Sequence, residues 1–314
     1  RVWPQMGASE SATVNGASAL QAPALPCQGA ARPRYREKVV RDLAWLVEAH
    51  ALLAAESGLE LLSAPASASA SLATAAWLAK LDADPEPLLQ DLGERSTVRR
   101  LGFYACGLTE HWLRHGPGWG TRDLLASVPL ALGKASRGQK RSTAGQLKFV
   151  CRRDDEVLHV ESSLKFFIDA APASSPLAKS ASMSRFVGPF LHENFAWRLS
   201  EARRKLSAAR STTVQSFLQA QLGDAPVRSA YFLKGYIFRP LADFRPRKPW
   251  TTPPELNAQC PTGWYTSSVD ALSSFLLPGA RVAVLPKLFW LGLAEARGEP
   301  PVLLSGRLPG QEEA

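Results

Sequence analysis

The stretch Gly145-Gln146-Leu147-Lys148-Phe149-Val150-Cys151-Arg152, then Arg153-Asp154-Asp155-Glu156, then Val157-Leu158-His159-Val160-Glu161-Ser162-Ser163-Leu164-Lys165-Phe166-Phe167, decides the fold. Two arms rich in β-branched and aromatic residues flank a short acidic turn, the pattern of a β-hairpin. Side chains alternate along a strand, so His159, Glu161, Ser163 and Lys165 share one face of the second arm, and Leu158, Val160, Leu164 and Phe166 the other. A turn centred on Asp154 and Asp155 pairs positions whose numbers sum to 309, which sets Lys148 opposite Glu161. Two acids at such facing positions would hold a divalent cation, because hard cations need converging carboxylate oxygens. With lysine at one of them, the residues alone read as a cross-strand Lys148–Glu161 ion pair.

Outward from the hairpin, the amino-terminal side reads as helical. Val39, Val40, Leu43, Trp45, Leu46, Val47 and Leu53 recur with a helical period between residues 36 and 56, with Ser57-Gly58 as the stop. Further helices are expected over 71–81 and about 97–114, the latter closed by Gly116-Pro117-Gly118, and a short one after Thr121. On the carboxy-terminal side, a helix with a basic side (Arg198, Arg203, Arg204, Lys205) is expected over 190–209 and another near 214–222. Strands or buried pieces follow at 231–241 and 281–293, separated by a Pro-rich loop over 245–254. Residues 1–34, rich in Ala, Ser, Gly and Pro with a single acid, form a disordered or organelle-targeting segment by composition. The remainder, 35–310, reads as one domain: a helical part over 35–120, a core over 121–242 and an extension over 243–310.

The whole chain has 314 residues, 46% of them hydrophobic, and a net charge of +9. That is enough apolar material for a large core, and the charge favours an anionic partner without saying anything about fold. The richest apolar stretch, 275–296, is broken by Pro278, Arg281, Pro286 and Lys287, which excludes a membrane-spanning helix there. The four cysteines, Cys27, Cys106, Cys151 and Cys260, show no paired spacing, and a soluble intracellular protein is the expectation.

Several segments together resemble a mainly bacterial family, domain of unknown function 1853. They are Arg41-Asp42-Leu43-Ala44-Trp45-Leu46, Arg100-Leu101-Gly102 with Tyr104, Gly145-Gln146-Leu147-Lys148-Phe149, and His159-Val160-Glu161 with Lys165-Phe166-Phe167. Phe186-Val187-Gly188-Pro189, Lys234-Gly235-Tyr236-Ile237-Phe238 and Gly263-Trp264-Tyr265 continue the likeness in the same order. The family's hairpin, Gly-Glu-Leu-Asp on one arm and His-Trp-Glu with a lysine four residues on, is similar to that of PD-(D/E)XK phosphodiesterases. The resemblance implies an α/β fold, a mixed sheet flanked by helices with a PD-(D/E)XK nuclease-like core and a helical amino-terminal region. It also implies metal-dependent nucleic-acid cleavage as the ancestral chemistry.

This chain departs from that pattern at the acids. Gln146 and Lys148 stand where the family has glutamate and aspartate, and Ser163 where the nuclease spacing puts lysine. Lys165 keeps the family position, about 13 Å along a strand from Glu161. The expectation is a catalytically degenerate nuclease relative that binds DNA or RNA. A scaffold protein without nucleic-acid function and an active Mg²⁺-dependent nuclease are the alternatives. If the site works, Glu161 is the metal ligand and Lys165 the second catalytic residue. The expected phosphate-binding residues are Lys134, Arg137, Lys140 and Arg141 in an acid-free basic loop, with Arg203 and Arg204 on the following helix.

Other motifs read more plainly. His111 and His115 are four apart on a helix but lack the glutamate placement of a zinc-protease motif, and are expected as a surface pair. Gly133–Lys140 fails as a phosphate loop because Gln139 sits where lysine is required. Ser162 and Lys165 point to opposite faces of a strand, and Cys106 and Cys151 read as buried apolar residues. Phe149, Phe166, Phe167, Phe195 and Trp197 have core spacings rather than those of base-stacking platforms.

Overall fold

The computed structural model describes residues 34–63, 67–96, 100–131, 143–153, 155–170, 182–189, 191–243, 250–266, 268, 270–271 and 290–291. The expected targeting segment, apart from Arg34, lies outside them. So do Lys134, Arg137, Lys140 and Arg141, the first half of 245–254 and nearly all of 281–293.

Among the described residues, four α-helices precede the sheet. In α1, Lys38–Glu48, Val39, Val40, Leu43, Leu46 and Val47 form the buried stripe that the periodicity predicts. The helix does not continue to residue 56: Ala49 is extended, Leu52 N–H donates to Leu233 O, and Leu53 bridges to Leu256. Leu52 and Leu53 are buried in a different cluster from α1, so tertiary packing overrides the helical period there. Helix α2 covers Ala68–Ala83, longer at both ends than expected, with the Ser67 hydroxyl accepting from Ala70 N–H at its start. Helix α3, Glu86–Leu92, was not foreseen; it buries only Leu88 and Leu92 and is too short for a periodic signal. Helix α4 is Leu101–His115. Asp42, buried in α1, accepts from the Tyr104 hydroxyl at 2.8 Å and ties α1 to α4.

The short helix expected after Thr121 is instead strand β1, Asp123–Ala131. Its apolar run is too brief for period alone to separate helix from strand, and Pro129 is accommodated because β1 is an edge strand. The hairpin follows as β2, Thr143–Arg152, and β3, Val157–Asp169. Its register is Phe149↔Val160, Val150↔His159, Cys151↔Leu158 and Arg152↔Val157, each pair summing to 309 as the turn requires. Strand β4, Phe186–Val187, pairs with the end of β3. Helices α5, Phe195–Ala209, and α6, Thr212–Leu222, lead into β5, Val227–Pro240, which runs parallel to β3. Strand β6, Thr262–Tyr265, adds parallel to β5.

The result is an α/β protein with a mixed six-stranded sheet in the order β1-β2-β3-β5-β6, with β4 beside β3. Alternation along β3 divides the core. Leu158, Val160 and Phe166 pack with α1 to α4 on one face, and Phe167 packs with Phe195, Leu199 and Leu206 of α5 on the other. No helix among the described residues is long and apolar enough to cross a membrane.

In the parallel pairing of β3 and β5, Lys165 is the partner of Gly235. A Cβ at Gly235, where φ is +152°, would lie 1.6 Å from the Lys165 carbonyl oxygen, so no side chain fits there. Gly235→Ala is therefore expected to destabilise the fold by about 3 kcal/mol, through backbone strain and displacement of β3. Urea unfolding measures this; a change within error of zero would show that the two strands do not meet in this way.

Candidate functional site

Ladder pairing between β2 and β3 ends at Phe149↔Val160. Beyond that point β2 stays with β1 and β3 with β5, so the sheet forks. The amide past the last pair, Lys148 N–H, donates to Glu161 Oε1 at 3.1 Å. The carboxylate thus takes the place of a ladder partner at the crotch of the fork. Glu161 is 2% exposed, and a charge buried this deeply needs compensation.

Three groups supply it. Lys205 of α5 donates from Nζ to Glu161 Oε2 at 2.9 Å, His159 Nε2 lies 3.3 Å from Oε1, and the Lys148 amide completes the set. The expected ion pair between the Lys148 and Glu161 side chains is not formed. The register is as expected, but Lys148 offers its backbone, and the ammonium comes from α5. Burial would push the Glu161 carboxyl up; the His159 hydrogen bond and the Lys205 ammonium outweigh it and hold the group below the ordinary glutamate value. On the other side of the ring, His159 Nδ1 lies 3.3 Å from Ser229 Oγ. This serine–histidine–glutamate chain is closed to substrate, since Ser229 is 1% exposed and His159 fully buried. It orients the acid.

A pocket of about 280 Å³ opens at the fork, lined by Cys106 of α4, Lys148 of β2, Ser163 and Lys165 of β3, and Arg198 and Lys205 of α5. Arg198 and Lys205 are seven apart, two helical turns, and so face the same way. Lys165 donates to Glu193 Oε1 at 2.6 Å, and Arg198 donates to the other oxygen of Glu193. Burial lowers the Lys165 ammonium from its ordinary value, opposed by Glu193 and assisted by the charges of Arg198 and Lys148. Burial also raises the Cys106 thiol, despite the nearby Lys148 and Arg95, which makes it a poor nucleophile. Four cations stand against the two carboxylates Glu161 and Glu193, so the fork carries surplus positive charge.

The Mg²⁺ that a nuclease resemblance implies does not fit here. Both oxygens of Glu161 already accept hydrogen bonds, the residue facing it is lysine, and both oxygens of Glu193 are taken by Lys165 and Arg198. A cation would have to displace other cations.

The structure brings Glu161 and Lys165 to the same pocket. It places Arg203 and Arg204 on other sides of α5: Arg203 donates to Ser57 O at 2.9 Å, and Arg204 pairs with Glu201. Sequence reasoning did not single out Glu193, which lies just before the α5 cap formed by Asn194 and Trp197 N–H. Arg198 and Lys205 were legible as a basic side, and their spacing of seven was the available signal. Phe149, Phe166, Phe167 and Phe195 are core residues as expected, but Trp197 is 51% exposed with the Arg198 guanidinium over its ring. Nor is His111 part of a surface pair: it is 2% exposed and faces Asp91.

A family model, Domain of unknown function (DUF1853), matches residues 41–302. No curated protein and no solved structure matches the chain. The chain belongs to the DUF1853 family.

The lowered Glu161 pKa fixes a pH dependence. A carboxyl whose folded-state value lies below its ordinary 4.5 contributes stability that is complete above that pH and lost as pH falls through the folded-state value. Relative to Glu161→Gln, the wild type is expected to lose stability on acidification below about pH 4.5. Parallel thermal melts over pH 3 to 7 test this, and pH-independent differences between the two proteins would contradict it.

Proposed function

Starting from membership of the DUF1853 family, we propose that this protein binds the phosphate backbone of nucleic acid at the fork and does not cleave it. One observation carries the reading: Lys148, Lys165, Arg198 and Lys205 line an open pocket in which the buried acid is already neutralised. Positive side chains in a concave site gain affinity by releasing condensed counterions, and Arg198 supplies a planar donor suited to phosphate oxygens. Half-exposed Trp197, beside Arg198, offers a ring on which an unstacked base can lie, favouring single strands. The hairpin resemblance to PD-(D/E)XK phosphodiesterases accounts for the placement. In that ancestry the fork held a metal and a scissile phosphate, and here lysine at position 148 leaves phosphate recognition without the second acid.

Fluorescence anisotropy with labelled single-stranded and duplex oligonucleotides tests the proposal. Affinity is expected to fall steeply between 50 and 200 mM salt, and the log–log slope to drop by about 1 in each of Lys148→Gln and Lys165→Gln. Glu161→Gln removes a negative charge and is expected to tighten binding by about two- to tenfold, whereas loss of a required metal ligand would abolish cleavage and leave affinity unimproved. Trp197→Ala is expected to weaken single-strand binding by about 1 kcal/mol or more, and duplex binding less. Binding insensitive to salt and to both lysines would overturn the reading in favour of a scaffold role. Mg²⁺- or Mn²⁺-dependent cleavage that Glu161→Gln removes would overturn it in favour of a nuclease.

A further inference from the structure

Away from the fork, α3 and α4 bring together three side chains that the proposed nucleic-acid role does not use. His111 and His115 lie one helical turn apart on the same face of α4. Asp91, near the end of α3, reaches across to both: its Oδ2 lies 2.7 Å from His111 Nδ1 and 2.9 Å from His115 Nε2. Two imidazole nitrogens therefore aim at one carboxylate oxygen, and all three ligand atoms lie within 4.8 Å of one another.

We propose that Asp91, His111 and His115 bind a Zn²⁺ ion, with water or a small ligand in the fourth position. Metal–ligand bonds near 2.0–2.1 Å set tetrahedral ligand atoms roughly 3.3 Å apart, so for the ion to replace the two shared protons Asp91 retreats by about half an ångström and the imidazole nitrogens, within 4.8 Å of each other, close by about 1.5 Å through a swing of His115. Asp91 and His115 can give way, being 33% and 46% exposed, while buried His111, stacked on Trp77 with ring centres 5.8 Å apart, is the fixed ligand. Two imidazoles and one carboxylate suit zinc rather than magnesium, whose preference is for oxygen ligands alone. Three protein ligands with exposure at the outer side match zinc sites that keep an open position, unlike closed structural ones.

The test uses the full chain, stripped with chelator and titrated calorimetrically with Zn²⁺, alongside His115→Ala and Asp91→Ala. Both substitutions fall on partly exposed side chains, and circular dichroism verifies that the variants fold. The wild type is expected to take up one equivalent that each variant loses. Zn²⁺ is expected to raise the wild-type melting temperature and not that of the variants, and Mg²⁺ to do neither. Cobalt(II) in place of zinc is expected to show the intense visible absorption of four-coordinate geometry in the wild type alone. Equal Zn²⁺ uptake by wild type and both variants, or no uptake by the wild type, would overturn the site. Neither result would touch the reading of the fork, whose residues are absent from this cluster.

Discussion

The Glu161 carboxylate sits where two strands part, and the surrounding structure follows from the need to satisfy it. A strand whose ladder ends inside the protein leaves amides without partners, and a buried carboxylate is tolerated only with donors around it. Each problem answers the other. Lys148 N–H finds an acceptor in Glu161, and Glu161 draws in His159 from its own strand and Lys205 from the helix packed over the sheet. Removing any one donor leaves a charge that the interior cannot solvate. This constraint also fixes the seat of α5, since Lys205 and Arg198 reach the fork only if the Leu199, Ala202 and Leu206 side of the helix lies against Phe167 and its neighbours.

The same constraint decides the chemistry of the site. A carboxylate that accepts from an ammonium, an imidazole and an amide has no free oxygen to offer an ion. Glu193 is similarly engaged by Lys165 and Arg198. The cations outnumber the acids they neutralise, and the excess lies at an open pocket rather than in the core. That excess is the basis of the proposed recognition of anions. Lys148 is where the chain departs from the acidic pattern that the proposed nuclease resemblance implies.

Much of this was legible in the chain. The acidic turn at Asp154-Asp155 fixes the hairpin register because pairing across a short loop is nearly a counting problem, and the observed partners obey it. Helices α1, α4, α5 and α6 were visible in their apolar periods. What escaped reading depends on contacts distant in sequence. Lys205 lies 44 residues from Glu161, so no local pattern reveals it as the counter-ion. His111 could be recognised as buried only by knowing that α3, itself too short for a periodic signal, packs against it. Strand β1 resembles a short helix until its edge position explains Pro129, and β4 and β6 are too brief for alternation to show.

Crystals of the protein soaked in Mn²⁺ and examined by anomalous scattering test the central claim most directly, because manganese substitutes for magnesium at acidic sites and can be located without assumptions about activity. The account predicts no manganese at Glu161 and a Lys205 ammonium in hydrogen-bond contact with its carboxylate. A manganese ion bound to Glu161, with Lys205 turned away, would contradict it.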